Sequence, residues 1–265
     1  MQKPNSKYKL LVLFNESKAA NIALNNAINL AETINGSIDI LCVKPPTDVT
    51  KSSNQLAVMR DISDVERDSK KKIKQLIDSI SNTKNLSVNH HFTFGNVVNQ
   101  VKEHINTTQP DIVVIGKRKP KLVNALGDGL TKHLLKNHNI ELLISGTETA
   151  LTSFNNPSLG FLEEIAHKNK LSIAENLKSK TSKPLKIFKT VQNGKENMNS
   201  EILNSESIET IVFEFDESSK ANNIPNYVHK NNVNLLCITR NVAQSLKHIN
   251  TQITKTEVPI LVLAN

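Results

Sequence analysis

The stretch that decides the fold of this chain is Asp-Ile-Val-Val-Ile-Gly at residues 111–116. Four consecutive apolar residues between an acidic residue and a glycine are typical of a parallel strand that is buried on both faces. The glycine opens a basic loop at 117–121, after which the apolar spacing predicts a helix over 129–137 and a buried strand over 140–144. This succession of strand, loop, helix and strand is the unit of a parallel α/β sheet.

The residues before this stretch show the same alternation. Short apolar runs predict strands, and apolar residues at helical spacing predict helices between them. The predicted strands cover 10–14, 38–43 and 86–94, and the predicted helices cover 20–34, a long stretch that is clearest at 73–80, and 97–105. Apolar and polar residues alternate in 86–94, which favours a strand at the sheet edge. This alternation predicts an open, doubly wound sheet with helices on both faces.

The second half of the chain begins the pattern again after a segment rich in Thr, Ser and Asn. We divide the chain into a first domain at 1–146, a linker at 147–156 and a smaller second domain at 157–265. The second domain is predicted to have strands at 159–162, 185–191, 208–215, 233–238 and 258–263, and helices at 165–177, 224–230 and 242–249. A polar stretch at 192–207 stands where the first domain has its long second helix. The prediction is therefore an α/β protein with two doubly wound, five-stranded parallel-sheet domains, formed by duplication and divergence.

The composition argues against several classes of protein. Hydrophobic residues make up 38% of the chain and aromatic residues only 4%, so we expect cores built from aliphatic side chains. The net charge of +8 comes mostly from dispersed lysines without a nucleic-acid motif, so we expect no nucleic-acid partner. No apolar run approaches the roughly 18 residues of a membrane span, and the first residues are polar. We therefore expect a cytoplasmic protein without membrane association.

Four short motifs carry a resemblance to a known family. They are Asn-Glu-Ser at 15–17 after the first strand, Val-Lys-Pro at 43–45 after the second, Gly-Asn-Val at 95–97 before the third helix, and 111–116 itself. In this order the elements resemble the universal stress protein family over nearly the whole chain, as two copies. The resemblance implies a strand order of 3-2-1-4-5, as in adenine-nucleotide alpha-hydrolase-like folds. It also implies an intrachain pseudo-dimer along the fifth strands, with a homodimer as a further arrangement that it leaves open.

The resemblance also implies a nucleotide site in some members of the family. Those members have an Asp near the adenine and a phosphate loop of Gly, two residues, Gly, nine residues, Gly, then Ser or Thr. In this chain Asn15 stands in place of the Asp, and Gly116 matches the first glycine. Lys119 replaces the second glycine, Gly129 matches the third, and Leu130 replaces the hydroxyl residue.

Three further residues complete the set that the resemblance places at this site. Val43 ends the second strand, Lys117 follows the first glycine, and Gly127 offers an alternative register in which Asp128 takes the place of Ser or Thr. Because Asp is anionic, this register suits a phosphate less well. Glycines let the backbone approach a phosphate, so the loss of the middle one weakens the cradle.

Two interpretations of function remain open. The basic residues of 117–121 either attract phosphate by charge or form a solvated loop. The degenerate loop favours a stress-response regulator or interaction protein that is not an enzyme, has no cofactor, and binds nucleotide weakly or not at all. The alternative is a sensor that binds ATP or AMP in the first domain. The second domain has no glycine after its fourth strand, the sequence identifies no protein partner, and we assign no catalytic residue.

A histidine pair, His90 and His91, raises the question of a metal site. Neighbouring residues of a strand point to opposite faces, so these two side chains cannot share one ion. We therefore expect a structural or surface role for the pair and assign no metal ligand.

Overall fold

The structure is a computed structural model, and it describes residues 6–45, 55–84, 86–117, 129–146, 154–162, 173–191, 210–216, 220–240 and 246–264. These residues form ten strands and seven helices. The strands are β1 (Tyr8–Leu13), β2 (Gly36–Lys44), β3 (Val88–Phe94), β4 (Ile112–Ile115), β5 (Glu141–Ile144), β6 (Leu159–Leu162), β7 (Leu185–Val191), β8 (Thr210–Asp216), β9 (Leu235–Thr239) and β10 (Ile260–Leu263). The helices are α1 (Lys18–Ile34), α2 (Gln55–Thr83), α3 (Val97–Thr108), α4 (Gly129–Asn137), α5 (Ile173–Lys178), α6 (Lys220–Lys230) and α7 (Leu246–Lys255).

All ten described strands form one continuous sheet in the order β3-β2-β1-β4-β5-β10-β9-β6-β7-β8. The first half has the order 3-2-1-4-5, and the second half repeats it from the other end of the sheet. Neighbouring strands are parallel within each half, whereas β5 and β10 pair antiparallel with Leu143 opposite Leu261. The predicted fold class and strand order are therefore confirmed, and the fifth strands join the two halves.

The sheet separates two apolar cores. Near the junction of β5 and β10, every residue of β4, β5 and β10 is buried, as expected for strands covered on both faces. On one face α1 and α5 pack over residues such as Ile40 and Val114. On the other face the buried residues of α3, α4, α6 and α7 pack over residues such as Leu41 and Val113. Helices on both faces leave the ends of the strands accessible, and the candidate site lies at one of these ends.

Several predicted elements agree closely with the structure. The predicted helix at 129–137 and the predicted strands at 159–162 and 185–191 have the bounds of α4, β6 and β7. The strand predicted at 86–94 is β3, and its place at the end of the sheet confirms that it is an edge strand. These elements carry strong local signals, because each combines an apolar pattern with clear flanking residues.

Other predicted elements differ from the structure. The helix predicted at 242–249 is wrong in its bounds, since α7 continues to Lys255 and buries Ile249 and Ile253 on one face. Phe154, which falls within the predicted linker, has a fully buried side chain in the same core as Leu159. The predicted basic loop beyond Lys117, most of the linker and the polar stretch at 192–207 lie outside the described residues.

Candidate functional site

A pocket of about 340 Å³ opens at the carboxyl ends of β1, β2 and β4. In the sheet, β2 lies on one side of β1 and β4 lies on the other side. The strands that follow β1 are therefore added first on one side and then on the other, and the strand order reverses at this point. Ligands of open α/β sheets bind at such a switch point. The residues that line the pocket are Leu13, Phe14, Asn15, Ser17, Ala19, Ala20, Leu41, Val43, Lys44, Pro45, Val97, Val101, Ile115, Gly116 and Leu130. The lining is thus mostly apolar, with a few polar groups.

The turn from β1 into α1 forms one wall of the pocket. Glu16 adopts a left-handed backbone with φ 61°, which turns the chain, and Ser17 caps the helix by accepting a hydrogen bond from the Ala20 N–H at 3.2 Å. The Asn15 side-chain oxygen in turn accepts a hydrogen bond from the Ser17 hydroxyl at 2.7 Å. The group that Asn15 can offer to a ligand is therefore its amide nitrogen, a donor, whereas an Asp would offer only acceptors.

An ion network occupies the rim of the pocket. The Glu16 carboxylate lies 3.2 Å from the Lys44 ammonium and 3.2 Å from the Lys72 ammonium, and Lys44 also donates to the Ser69 hydroxyl at 2.9 Å. Partial burial raises the pKa of Glu16, but the hydrogen bonds from both lysines outweigh it and lower the pKa overall. Glu16 is therefore ionised, and it neutralises Lys44, the one titratable side chain among the described residues that line the pocket.

Gly116 is held in place by helix α1. A Cβ atom at this position would lie 2.4 Å from the Ala19 carbonyl oxygen and 2.9 Å from the Ala20 nitrogen. No side chain fits there without moving the first turn of α1, so packing alone accounts for a glycine at the end of β4. Gly116 also lines the pocket.

Lys117 lies outside the lining of the pocket. Its ammonium donates to the Thr254 carbonyl at 3.0 Å and the Thr256 carbonyl at 2.7 Å, at the end of α7. Burial lowers the pKa of Lys117. The Lys117 ammonium, one of the charges that could attract a phosphate, therefore caps α7 in the second half instead.

The start of α4 contributes one residue to the pocket. Leu130 lines it, at the position where the family pattern has a hydroxyl side chain. Gly129 is exposed, and a Cβ atom built on it would meet nothing within 4 Å. Lys119 and Gly127 lie outside the described residues.

The structure thus brings together four of the predicted site residues, namely Asn15, Val43, Gly116 and Leu130. It also places Ser17 and Lys44 in the lining, which the sequence analysis did not assign. Lys44 directly follows the assigned Val43 at the end of β2, and Ser17 lies two residues after the assigned Asn15, which is the signal that could have identified them. The first residues of α3 were missed as well, and their i, i+4 spacing at Val97 and Val101 is the signal for them.

The second half carries a counterpart of Lys117. After β9, the Arg240 guanidinium donates to the carbonyls of His138 and Ile140 in the connection between α4 and β5, the latter at 3.0 Å. Arg240 is only 9% exposed, and burial lowers its pKa. Each half therefore sends one cation from just beyond its fourth strand to backbone carbonyls at, or shortly after, the carboxyl end of a helix in the other half.

Comparisons with known proteins identify the fold. The profile of the universal stress protein family matches residues 8–145. A universal stress protein from Archaeoglobus fulgidus has a similar structure, with a TM-score of 0.71 at 14% sequence identity over 97% of this chain and 98% of that chain. A functionally unknown protein from Pseudomonas aeruginosa PAO1 has a TM-score of 0.60 at 12% identity, over 97% of this chain and 92% of that chain. A search of curated protein sequences found no significant match.

Sequence profile and structure agree on the assignment. The matched residues run from β1 to just beyond β5 and make up more than half of the 265 residues. The likeness to the A. fulgidus protein extends over both halves and shows the fold they share. Among the described residues, none of the helices is long and apolar enough to span a bilayer. The chain belongs to the universal stress protein family.

Proposed function

We propose that the protein is a non-catalytic regulator of the stress response whose pocket has lost most of its hold on phosphate. One observation carries this proposal: the described cations near the pocket are already engaged. Lys44 is paired with Glu16, and Lys117 is bonded to carbonyls at the end of α7. Leu130 adds an apolar surface where a hydroxyl would hold a phosphate oxygen. A ligand of this pocket is accordingly small, mostly apolar and weakly charged.

The position of the pocket suits a regulatory role. Its lining joins the first turn of α1, which packs on one face of the sheet, to the first turns of α3 and α4 on the other face. A ligand between these turns favours one relative placement of the helices and changes the surfaces offered to a protein partner. The antiparallel pairing of β5 with β10 supports an intrachain pseudo-dimer, through which the second half adds to that surface.

A sensor of ATP or AMP is the second candidate. The pocket lies at the switch point, its volume of about 340 Å³ falls within the roughly 300–1,000 Å³ of ligand pockets, and Gly116 lines it. Gly129 leaves open space at the start of α4, where a phosphate would be favoured by the helix dipole. Under this candidate the basic loop beyond Lys117 supplies the missing charge.

Calorimetric titration of the full chain with adenosine, AMP and ATP separates the two candidates. Under our proposal ATP binds no more tightly than adenosine, because the phosphates gain no contacts. Leu130→Ser then increases ATP affinity by roughly 2- to 10-fold, the value of one added hydrogen bond. Leu130→Ala is the matched control, since it removes the same apolar atoms without adding a hydroxyl. ATP binding that is tenfold tighter than adenosine binding in the unaltered chain would establish the sensor instead.

A further inference from the structure

Three side chains with metal-binding atoms meet on the α3 face of the sheet, away from the pocket. Asp39 comes from β2, His91 from the edge strand β3 and His104 from α3. The Nε2 atom of His104 lies 2.7 Å from one Asp39 oxygen, and the Nε2 atom of His91 lies 3.6 Å from the other. The rings of the two histidines are 4.9 Å apart between centroids. One carboxylate thus lies between two imidazoles.

The register of the strands explains this convergence. Leu41 pairs with His91 in the parallel ladder, so both side chains point to the same face, and Asp39 shares that face two residues earlier on β2. This face is otherwise covered by α3, whose Val101 and Ile105 are buried beside Leu41. His90 pairs with Ile40 and belongs to the opposite face. Of the adjacent pair, only His91 therefore contributes to the cluster.

The cluster leaves one polar atom unsatisfied. The Asp39 oxygen that faces His91 is buried and has no hydrogen-bond partner, while the other oxygen is bonded to His104. A buried carboxylate oxygen without a partner is unfavourable. The His104 side chain is 13% exposed and the His91 side chain is 56% exposed, so His91 is free to rotate toward the unpartnered oxygen. An ion between them would satisfy it.

We propose that Asp39, His91 and His104 form a binding site for a divalent transition-metal ion, with zinc as the ion to test. One atom from each side chain lies within 4.8 Å of the others, and tetrahedral zinc requires separations of about 3.3 Å between ligands. Rotation of His91 and replacement of the hydrogen bond between His104 and Asp39 close this difference. Two imidazoles and one carboxylate suit zinc and its neighbours better than calcium or magnesium, which prefer oxygen ligands. The exposure of His91 leaves the fourth position to water.

The competing interpretation is a hydrogen-bonded cluster that only attaches α3 to β2. In that case His104 and Asp39 form their bond, and His91 adds only a ring contact with His104 and a 3.6 Å contact with the Asp39 carboxylate. The two interpretations differ in the effect of His91, because its Nε2 atom lies 3.6 Å from Asp39, beyond hydrogen-bond distance, and serves as a ligand only when an ion is present. Replacing His104 would also remove a contact of a nearly buried side chain, so His91 is the residue that decides.

The experiment uses the full chain without an affinity tag, stripped of metal and titrated with Zn²⁺ by calorimetry in competition with a chelator. The variants are His91→Asn and Asp39→Asn, and His90→Asn is the matched control on the same strand. We expect one zinc ion per chain in the unaltered protein and in His90→Asn. Affinity should fall by about 100-fold or more in His91→Asn, since even the outer partners of metal ligands contribute about 10- to 100-fold.

Cobalt supplies a second readout, because tetrahedral Co²⁺ absorbs visible light strongly. We expect this absorption in the unaltered protein and its loss in His91→Asn while the circular dichroism of the fold is retained. Equal zinc affinity in His91→Asn and His90→Asn would overturn the proposal, because binding would then occur elsewhere among the eight histidines. Absence of micromolar zinc binding in the unaltered protein would overturn it as well.

Discussion

Gly116 illustrates how a residue of a binding motif can be explained by packing alone. The Ala19 carbonyl lies 2.4 Å from the position of a Cβ atom, whereas the space around Gly129 is open. We expect Gly116→Ala to lower the free energy of unfolding by about 1–3 kcal/mol, the usual effect of overpacking. Gly129→Ala should be neutral or slightly stabilising, because alanine favours a helix by up to about 1 kcal/mol over glycine. Urea unfolding measures both, and equal effects would contradict this account.

Among the carboxyl groups of the described residues, Glu141 is the one whose pKa is raised. It begins β5, is 8% exposed, and accepts one long hydrogen bond from the Ile173 N–H at 3.4 Å. Burial raises its pKa from 4.5 to about 7, and the charge of Asp111 adds to this effect. Between these values the folded chain keeps the proton that the unfolded chain loses, so stability falls as the pH rises from about 4.5 to about 7.

Replacing the Glu141 carboxyl group should remove its contribution to the pH dependence of stability. We expect Glu141→Gln to be more stable than the unaltered chain by up to about 3 kcal/mol at pH 8, and the gain should vanish near pH 4.5. Urea unfolding at several pH values tests this expectation. Glu103→Gln on the exposed side of α3 is the control, because the charge of Glu103 is not buried. A gain in Glu141→Gln that is independent of pH would show that the charge is not the cause.

At the scale of elements, the first turn of α1 links the stability of the fold to the pocket. Ser17 accepts the hydrogen bond from Ala20 that caps the helix, and its hydroxyl donates to Asn15. We expect Ser17→Ala to lower the free energy of unfolding by about 1 kcal/mol. Ser79→Ala, an exposed position within α2, should have little effect because alanine is the better helix former. Thermal unfolding of both variants checks this difference, and similar stabilities would contradict the capping role.

At the scale of the whole molecule, two cations reinforce the junction between β5 and β10. Lys117 caps α7, and Arg240 bonds to carbonyls of the connection between α4 and β5, each from the other half of the chain. We expect Lys117→Met and Arg240→Met each to lower the free energy of unfolding by about 1.5–3 kcal/mol, because charged hydrogen bonds are lost and carbonyls that are mostly part-buried are left without these donors. Lys136→Met, an exposed lysine in the last turn of α4, should change it little.

Equilibrium denaturation provides the test, and its shape adds information. If the cations couple the halves, loss of either one should also broaden the transition, as the two halves begin to unfold separately. Variants at 117 and 240 that behave like Lys136→Met would show that the pairing of β5 with β10 holds the halves together without them.

The sequence by itself determined the class of the fold and the order of its elements. Continuous apolar runs such as Val113–Ile115 are a local signal of a strand covered on both faces. Apolar residues at helical spacing indicate the helices between the strands. The resemblance to the family assigned Asn15, Val43 and Gly116 to one site, and in the structure these three residues line one pocket. The fold class and the strand order can be predicted because they depend on neighbouring residues and on the order of elements along the chain.

Only the tertiary structure decided where the long side chains reach. Nothing in the order of elements indicates that Lys117 bonds to carbonyls of α7, or that Asp39 lies against His104, 65 residues further along the chain. Such contacts depend on the register of β2 against β3, on the helix that covers them and on the side-by-side placement of β5 and β10. Periodicity specifies which face of an element a residue occupies. The distance between side chains of different elements is set only when the whole sheet and its helices are assembled and packed.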